Sequence, residues 1–486
     1  MPSFYVENFG CRATQADGAA IEEQFRQRGL DRADQPSRAR FVVLNTCAVT
    51  ASAEQDARSA IRRARRENPE CEVIVTGCYA QRAPREIAEL PGVSLVIGNS
   101  HKHNLAQIAL NAHTEKDSSG IKTFIPVAEL SRRNNSLDSD AGSIFVSDIF
   151  AHTELLAAPV FDSANERTRP NLKVQDGCNN RCSFCVIPSL RGRSRSLNLD
   201  DVVRQVNELV ASGYREVVIS GINLGRWGQD LESSTWGGAR PRPSKFEDLV
   251  RAILDETPLE KLRISSVEPM DWSDFLIRLM AESPRIAKHA HVAMQSGSDA
   301  VLRRMHRKYR PWHYREKIEK IRAVMPTAAI GADVMVGFPG ETDSEFEDTR
   351  CMVEELPFTY LHVFTFSARP GTPAASMLNQ VPVRIARERN RILREIAAKK
   401  KVDFMRSFIG RELQAITLNI SSENASGVWT EALTDNYLKM KLAGQRDANQ
   451  WLTATVVAVD NEQLIAIPAE AKPEILFPSI ASSSHI

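Results

Sequence analysis

Three cysteines in one short stretch constrain this chain more than any other feature. Cys178, Cys182 and Cys185 follow the spacing C-x3-C-x2-C. Three thiolates can hold three irons of a cubane 4Fe–4S cluster and leave the fourth iron open to a small molecule. Gly177 allows the loop to approach such a cluster closely, and Phe184 can shield it from water. The stretch therefore predicts an iron–sulfur cluster with an open iron.

The alternatives for these three cysteines are a zinc site and three incidental thiols. Structural zinc sites usually take four ligands arranged in paired C-x2-C knuckles. No second knuckle follows Cys185 in the sequence. The three-ligand spacing therefore favours the cluster over both alternatives.

Length and composition narrow the class of protein. A chain of 486 residues is long enough for several domains, each with its own core. Its 62 Lys and Arg balance 61 Asp and Glu, so any nucleic-acid contact must come from local patches. The sequence has neither a signal-peptide pattern nor an apolar stretch of membrane-spanning length, so we expect a cytoplasmic protein with no membrane partner. In that compartment its eight cysteines are expected to be ligands, catalysts or core thiols rather than disulfides.

Residues 1–103 alternate strand and helix patterns. Continuous apolar runs at 4–6, 41–44, 73–75 and 93–97 predict strands, with helical patterns between them. Strands that are apolar on both faces and alternate with helices are typical of a parallel sheet covered on both sides. We therefore predict an α/β protein whose N-terminal domain is a doubly wound parallel sheet.

A cysteine follows each of the first three predicted strands, at Cys11, Cys47 and Cys78. Open α/β sheets place their ligands at the carboxyl ends of the strands, so these thiols should converge on one edge. We interpret them as ligands of a second 4Fe–4S cluster; three unrelated buried thiols are the alternative. Cys71 and Cys351 have no partner at ligand spacing, and we expect both to be core or partly exposed thiols.

A polar, poorly patterned stretch, 104–168, predicts a mostly extended linker with some order around 145–150. From 169 to 401 six strand–helix units predict a partial (β/α)6 TIM-like barrel. The loop of Cys178 follows its first strand, at the rim where such barrels carry chemistry. Other polar residues and glycines at this rim are candidates for binding the small molecule: Ser220, Gly221, Glu268, Gln295, Asp333 and Met335.

The last part of the chain changes pattern. Short strands with turns between them predict a small antiparallel β-barrel over 402–465, followed by a tail over 466–486. Basic residues lie elsewhere, and interleaved aromatics suit phosphate contact and base stacking. The candidates for RNA contact are Arg303, Arg304, Arg307 and Lys308, beside Tyr309, Trp312 and Tyr314, and a second basic stretch contains Arg191, Arg193 and Arg195.

The six cysteines, taken with three motifs, resemble the radical S-adenosylmethionine (SAM) methylthiotransferase family over nearly the whole chain. The motifs are Gln295–Asp299, Gly337–Thr342 and Phe366–Ala374. The resemblance implies that the open iron at Cys178, Cys182 and Cys185 binds SAM, and that the rim residues contact it. It also implies that the small β-barrel is an RNA-binding domain of the TRAM type, whose pattern Thr434–Lys439 matches.

The resemblance implies a function as well. Members of the family cleave SAM to a radical and insert a methylthio group, with the second cluster as the sulfur source. Asn45–Thr50, Gly221–Gly225 and Arg263–Pro269 favour a member that modifies N6-threonylcarbamoyladenosine beside the tRNA anticodon. We expect tRNA, a flavodoxin- or ferredoxin-type reductant and a sulfur donor as partners. The alternatives are methylthiolation of isopentenyladenosine in tRNA or of a ribosomal protein aspartate, and a non-catalytic iron–sulfur RNA-binding protein.

Overall fold

The computed structural model describes residues 2–49, 51–117, 142–152, 155, 168–231, 245–424 and 427–469. The chain begins with a six-stranded parallel sheet in the order β2-β1-β3-β4-β5-β6. Its strands are β1 (Ser3–Asn8), β2 (Asp31–Arg32), β3 (Phe41–Thr46), β4 (Glu72–Gly77), β5 (Val93–Gly98) and β6 (Ser143–Phe145). Its helices are α1 (Arg12–Arg26), α2 (Ala51–Glu67), α3 (Cys78–Arg82), α4 (Pro84–Ala88) and α5 (Leu105–Asp117).

Both faces of this sheet are buried, as the continuous apolar runs predict. Val42 and Leu44 of β3 belong to one hydrophobic core, and Phe41 and Val43 belong to another on the opposite face. Successive residues of a strand point to opposite faces, so a strand with helices on both sides must be apolar throughout. The parallel α/β architecture is confirmed.

The structure differs from the predicted extended linker over 104–168, because residues 105–117 form a helix and residues 143–145 form a strand. Helix α5 packs Leu105, Ala106 and Ala109 into the core on one face of the sheet, because these residues form an apolar stripe. Strand β6 pairs in parallel with β5 and adds a sixth strand, which agrees with the order predicted around 145–150. Residues 118–141 and most of 153–167 lie outside the described residues.

The central region contains two four-stranded sheets, in the orders β10-β9-β7-β8 and β11-β12-β13-β14. Its strands are β7 (Asn171–Asp176), β8 (Arg195–Ser196), β9 (Glu216–Gly221), β10 (Lys261–Ile264), β11 (Ser266–Val267), β12 (His289–Val292), β13 (Ala329–Val336) and β14 (Tyr360–Thr365). Its helices are α6 (Ile187–Arg191), α7 (Leu199–Ala211), α8 (Phe246–Glu256), α9 (Asp274–Glu282), α10 (Asp299–Arg304), α11 (Pro311–Val324), α12 (Asp343–Glu355) and α13 (Val383–Arg406).

A break at Ser265 separates the two sheets. Strands β10 and β11 lie on either side of it, and each pairs in parallel with a different neighbour, β9 and β12. The six strands predicted between residues 172 and 366 are therefore all present, with the third one interrupted. Strand β8, which pairs antiparallel to β7, was not predicted, because two residues carry no periodic signal.

The C-terminal strands close into a barrel in the order β15-β16-β17-β19-β18. They are β15 (Glu412–Asn424), β16 (Gly427–Thr434), β17 (Lys439–Ala443), β18 (Trp451–Asp460) and β19 (Gln463–Pro468). The prediction of a purely antiparallel barrel is wrong at one seam, because β17 and β19 run parallel. The predicted boundary at 401/402 falls inside α13, and the predicted tail from 466 begins inside β19, since Ala466 is fully buried. Residues 470–486 lie outside the described residues.

Among the described helices, none combines the length and the apolar character that crossing a bilayer requires.

Candidate active site

The three N-terminal cysteines lie where the strand order of the first sheet reverses. Cys11 follows β1 and Cys47 follows β3, the two strands on either side of the reversal, and Cys78 follows the adjacent strand β4. Sheets of this kind bind ligands in the crevice outside the carboxyl ends at the switch point. The predicted convergence of the three loops on one sheet edge follows from this topology.

These three thiols differ in exposure. Cys47 and Cys78 are buried, whereas Cys11 is exposed. Burial, followed by the neighbouring Cys78 and Cys11, raises the pKa of the Cys47 thiol to about 11. Gly10 has φ +105°, and a Cβ there would lie 2.7 Å from Cβ of Cys47, so only glycine permits this approach. The Nδ2 amide of Asn99 donates to Sγ of Cys78 at 3.7 Å.

The second set of cysteines lies on the loop after β7, which is held firmly to its surroundings. Gly177 has φ +70°, and a Cβ there would lie 2.0 Å from the Arg193 carbonyl oxygen. The N–H of Ser183, in the middle of this loop, donates to the carbonyl of Met305, the residue directly after α10, at 3.1 Å. Phe184 packs edge-on against Phe338 with ring centroids 6.4 Å apart. The loop is thus fixed by backbone contacts and packing rather than by its cysteines.

Polar groups surround the second set of thiols. Asn223 donates from Nδ2 to Sγ of Cys178 at 3.6 Å, and Arg307 donates from Nη1 to Sγ of Cys182 at 3.3 Å. Burial raises the pKa of the Cys185 thiol to about 12. A thiolate in these positions would be stabilised by the two donors, because hydrogen bonds to a charged acceptor are the strong ones.

The donor chemistry of both cysteine sets fits 4Fe–4S clusters. In the described ranges, no three His, Cys, Asp or Glu side chains have the geometry to hold a metal ion. A cubane binds each thiolate to a different iron, so its ligands lie further apart than those of one ion. Both sets consist of thiols alone, which is the donor chemistry that iron–sulfur clusters take. Amide and guanidinium donors already point at Cys78, Cys178 and Cys182.

A buried charge network lies between the two cysteine sets. Asp17 of α1 contacts Lys102 at 2.9 Å, Arg191 at 3.0 Å and also Lys173. Asp176, two residues before Cys178, contacts Lys173 and Arg191 at 3.0 Å each. Burial alone would raise the pKa of both carboxyls, but these cations outweigh it and hold both pKa values well below the usual range. The network therefore carries three cations and two anions in the interior.

A cleft of about 420 Å³ opens between the three parts of the chain. Cys11 and Arg12 line it from the first sheet, Ser220 and Asp333 from the central strands, and Tyr437 from the C-terminal barrel. Ser220 is buried, and its hydroxyl has no hydrogen-bond partner among the described residues. The cleft thus brings an N-terminal cysteine next to the predicted SAM-binding rim.

Four of the six predicted SAM contacts line one of two cavities, and the other two line neither. Ser220, Gly221 and Asp333 line the cleft beside Cys11. Glu268 lines a smaller cavity of about 30 Å³ together with Cys182, and its carboxylate contacts Arg307. Gln295 and Met335 line neither cavity. Gln295 has φ +62° and exchanges backbone hydrogen bonds with Asp333 and Met335, each 2.8 Å long.

The predicted RNA contacts are only partly on the surface. Arg303 and Lys308 are exposed, with Arg303 paired to Asp299 at 2.9 Å. Arg304 pairs with Glu345 at 2.7 Å. Arg307 does not fit an RNA contact, because it is 7% exposed and its charge is used inside the protein by Glu268 and Cys182.

The aromatic residues beside this basic stretch also differ from the prediction. Tyr309 and Tyr314 are buried and donate their hydroxyls to backbone carbonyls of Met294 and Val292, at 2.6 and 2.8 Å. Only Trp312 of the three is exposed, at 56%. Base stacking in this stretch is therefore limited to Trp312.

Sequence reasoning missed Asp17, Lys173 and Arg12, and it placed Arg191 in a surface patch. Arg191 is 2% exposed and belongs to the buried network. One signal was available, because Lys173 stands in the middle of an otherwise apolar predicted strand. A charge at such a position requires a buried partner.

Two protein families match separate parts of the chain. Residues 3–98 match the uncharacterized protein family UPF0004, and residues 172–350 match the radical SAM superfamily. Among solved structures, the radical SAM methyltransferase TsrM from Kitasatospora setae is similar with a TM-score of 0.54 and 15% identity, over 77% of each chain. At that identity the likeness concerns the fold.

Similarity to curated proteins extends over nearly the whole chain. A threonylcarbamoyladenosine tRNA methylthiotransferase of Rickettsia prowazekii is 35% identical over 94% of this chain and 95% of its own. One of Bacillus subtilis is 33% identical over 92% of each chain. A tRNA-2-methylthio-N(6)-dimethylallyladenosine synthase of Methylacidiphilum infernorum is 28% identical over 96% of this chain and 95% of its own. The chain therefore belongs to the radical SAM methylthiotransferase family and is an enzyme of that class.

Proposed function

We propose that this enzyme converts N6-threonylcarbamoyladenosine in tRNA to its 2-methylthio derivative and uses two 4Fe–4S clusters to do so. The observation that carries the proposal is the cleft. It brings Cys11 of the N-terminal cysteine set next to Ser220 and Asp333, which lie on central strands of the region that contains the second set. Relatives named for threonylcarbamoyladenosine, at 33 and 35% identity, support this substrate.

Cys178, Cys182 and Cys185 would hold one cluster, and Cys11, Cys47 and Cys78 the other. When bound, the first would supply the electron that cleaves SAM and the second the sulfur. Asn223 and Arg307 would stabilise the thiolates of Cys178 and Cys182 through the donors that already point at them. The target C–H bond of the adenine ring is not acidic, so acid–base catalysis by side chains would not suffice.

Residues on the rim would bind SAM. Ser220 offers an unpartnered buried hydroxyl and Gly221 a close backbone approach. Asp333 and Glu268 offer carboxylates for an amine or a ribose hydroxyl. Gln295 and Met335 would complete the set.

The domain assignments follow from the same family membership. We infer that the two central sheets and their helices, from β7 to α13, form the partial (β/α)6 TIM-like barrel of radical SAM enzymes, after an N-terminal methylthiotransferase domain built on the sheet of β1–β6. We infer further that the barrel of β15–β19 forms a TRAM-like RNA-binding domain. The position of Tyr437 in the cleft supports this, because a substrate nucleoside there would meet the C-terminal barrel as well. The partners would be tRNA, a flavodoxin- or ferredoxin-type reductant and a sulfur donor, in the cytoplasm.

Nucleoside mass spectrometry tests the substrate directly. The anaerobically reconstituted enzyme is incubated with SAM, a reductant and tRNA from a strain that lacks methylthio modifications. We expect 2-methylthio-N6-threonylcarbamoyladenosine with the wild type and none with Cys182→Ala. A methylthio group on isopentenyladenosine instead would contradict the proposed substrate, and the absence of SAM cleavage would contradict the proposed radical chemistry.

A further inference from the structure

The cleft contains an arginine whose charge is not neutralised by the described part of the chain. Arg12 is the first residue of α1, directly after Cys11, and it is partly buried. Its Nη2 donates to the hydroxyl of Tyr437 at 3.3 Å. It forms no ion pair with any described Asp or Glu. A guanidinium has five donors, so most of the Arg12 donors face the cleft or solvent.

The other charged groups of the cleft do not offer Arg12 a partner. Asp333 pairs with Nε2 of His291 at 3.2 Å. His289 and His362 carry no negative charge, and burial lowers the pKa of both. Taking a cation partly out of water without a counter-ion is costly, so the cleft is suited to receive an anion at Arg12.

A second polar group in the cleft lacks a hydrogen-bond partner among the described residues. Ser220 is 3% exposed, and its hydroxyl lacks a partner among the described residues. Buried polar groups in native proteins are normally hydrogen-bonded. An anion site at Arg12 and an unused hydroxyl at Ser220 therefore lie in one cleft beside Cys11.

We propose that Arg12 binds the carboxylate of the threonylcarbamoyl group and makes the enzyme specific for that nucleoside. This inference rests on the proposed function. Threonylcarbamoyl retains the free carboxylate of threonine, whereas a dimethylallyl group is a hydrocarbon. Guanidinium pairs with carboxylate through two parallel hydrogen bonds, and such a pair beside Cys11 would hold the base next to the N-terminal cysteines.

The test combines a change in the enzyme with a change in the substrate. Reconstituted wild type and Arg12→Gln are assayed on two anticodon stem-loop RNAs, one with threonylcarbamoyladenosine and one with its threonine carboxamide. We expect kcat/KM of the wild type to fall on the order of ten- to a hundredfold with the carboxamide. On the native RNA, kcat/KM of Arg12→Gln should fall by a similar factor. Replacing that RNA by the carboxamide should then lower kcat/KM of the variant little further, because both changes remove the same guanidinium–carboxylate pair.

The matched control is Arg28→Gln, since Arg28 is exposed just beyond the other end of the same helix, roughly 20 Å away. It should behave as the wild type on both RNAs. Iron content and 5′-deoxyadenosine formation are measured for each variant. If Arg12→Gln fails to fold, Arg12→Lys takes its place: it keeps the charge but lacks the two parallel donors, so its kcat/KM should fall on the native RNA and less on the carboxamide.

Three results would overturn the inference. The wild type could modify both RNAs equally well, which leaves the proposed function standing and removes carboxylate recognition. Arg12→Gln could lower kcat/KM by the same factor on both RNAs. That result would mean that Arg12 contacts the RNA backbone or supports Cys11. The wild type could cleave SAM and yet modify neither RNA, which would remove the proposed function and this inference with it.

Discussion

Arg191 donates from Nη2 to Oδ2 of Asp17 at 3.0 Å in the protein interior. Asp17 lies on the helix that starts after Cys11, and Arg191 ends the helix that follows Cys185. Their ion pair therefore joins the element after one cysteine set to the element after the other. Buried charges tolerate little displacement, because a shift leaves them unpaired in a low dielectric. The network that contains this pair sets the relative position of the two cysteine sets.

Removing Asp17 should destabilise the protein strongly. Asp17→Asn removes the carboxylate that pairs with Lys102 and leaves Lys173 and Arg191 with Asp176 as the remaining carboxylate of the network. Loss of one partner from a buried charge cluster typically costs about 3–5 kcal/mol of the free energy of unfolding. Denaturant unfolding measures the change.

The control for this variant is Glu23→Gln. The side chain of Glu23 is 46% exposed on the same helix and is 3.9 Å from Arg26, so its loss should cost no more than about 0.5 kcal/mol. If Asp17→Asn and Glu23→Gln unfold at the same denaturant concentration, the network does not stabilise the fold.

The stability of the apo-protein should fall in acid because of the same two carboxyls. The pKa values of Asp17 and Asp176 are well below the usual range in the folded protein, whereas an unfolded aspartate has a pKa of about 3.9. Their stabilisation is therefore complete well above that unfolded value, begins to decline near about pH 5 and is lost progressively as the pH falls further towards the folded pKa values. Unfolding midpoints measured from about pH 7 to about pH 2 should fall more steeply for the wild type than for Asp17→Asn. Parallel pH curves would contradict this assignment.

The two cysteine sets should be separable by iron content and by product. The reconstituted wild type should hold about eight irons, and Cys47→Ala and Cys182→Ala about four each. Cys182→Ala should lose SAM cleavage, whereas Cys47→Ala should still form 5′-deoxyadenosine but no methylthio nucleoside. Cys351→Ala is the control, because the Cys351 thiol hydrogen-bonds with its helix neighbours Glu347 and Arg350, and it should behave as the wild type. A Cys47→Ala variant with full methylthiolation would disprove the role of the N-terminal set.

Among the predicted RNA contacts, Lys308 should have a clear effect on tRNA binding. It is exposed, lines the cavity next to Cys182 and forms no ion pair with a described residue. Lys308→Ala should weaken binding and reduce the slope of log affinity against log salt by about 0.7–0.9, the value for one phosphate contact. Arg204→Ala is the control, because Asp201 and Glu208 already hold Arg204 at 2.8 Å. An unchanged slope for Lys308→Ala would show that this side chain is only solvated.

Much of the fold and part of the site could be predicted because they depend on local pattern. Apolar runs separated by helical segments specify parallel strands with both faces covered, and β3, β4 and β5 contain the predicted runs at 41–44, 73–75 and 93–97. The positions of the six cysteines after strands follow from the same pattern. Strands without such a pattern, such as β8, were not predicted.

The sequence by itself therefore determined the order of strands and helices and the six cysteines at the strand ends. Tertiary structure decided how each charge is used, since the charge of a residue does not reveal its partner. Arg307 and Arg191 resemble surface cations in the sequence, yet their partners Glu268 and Asp17 are 39 and 174 residues away along the chain. Arg12 becomes part of a cleft only because folding brings Tyr437, 425 residues later, to its guanidinium. Burial of a charge depends on groups that meet only in the folded chain, and it is there that the site is completed.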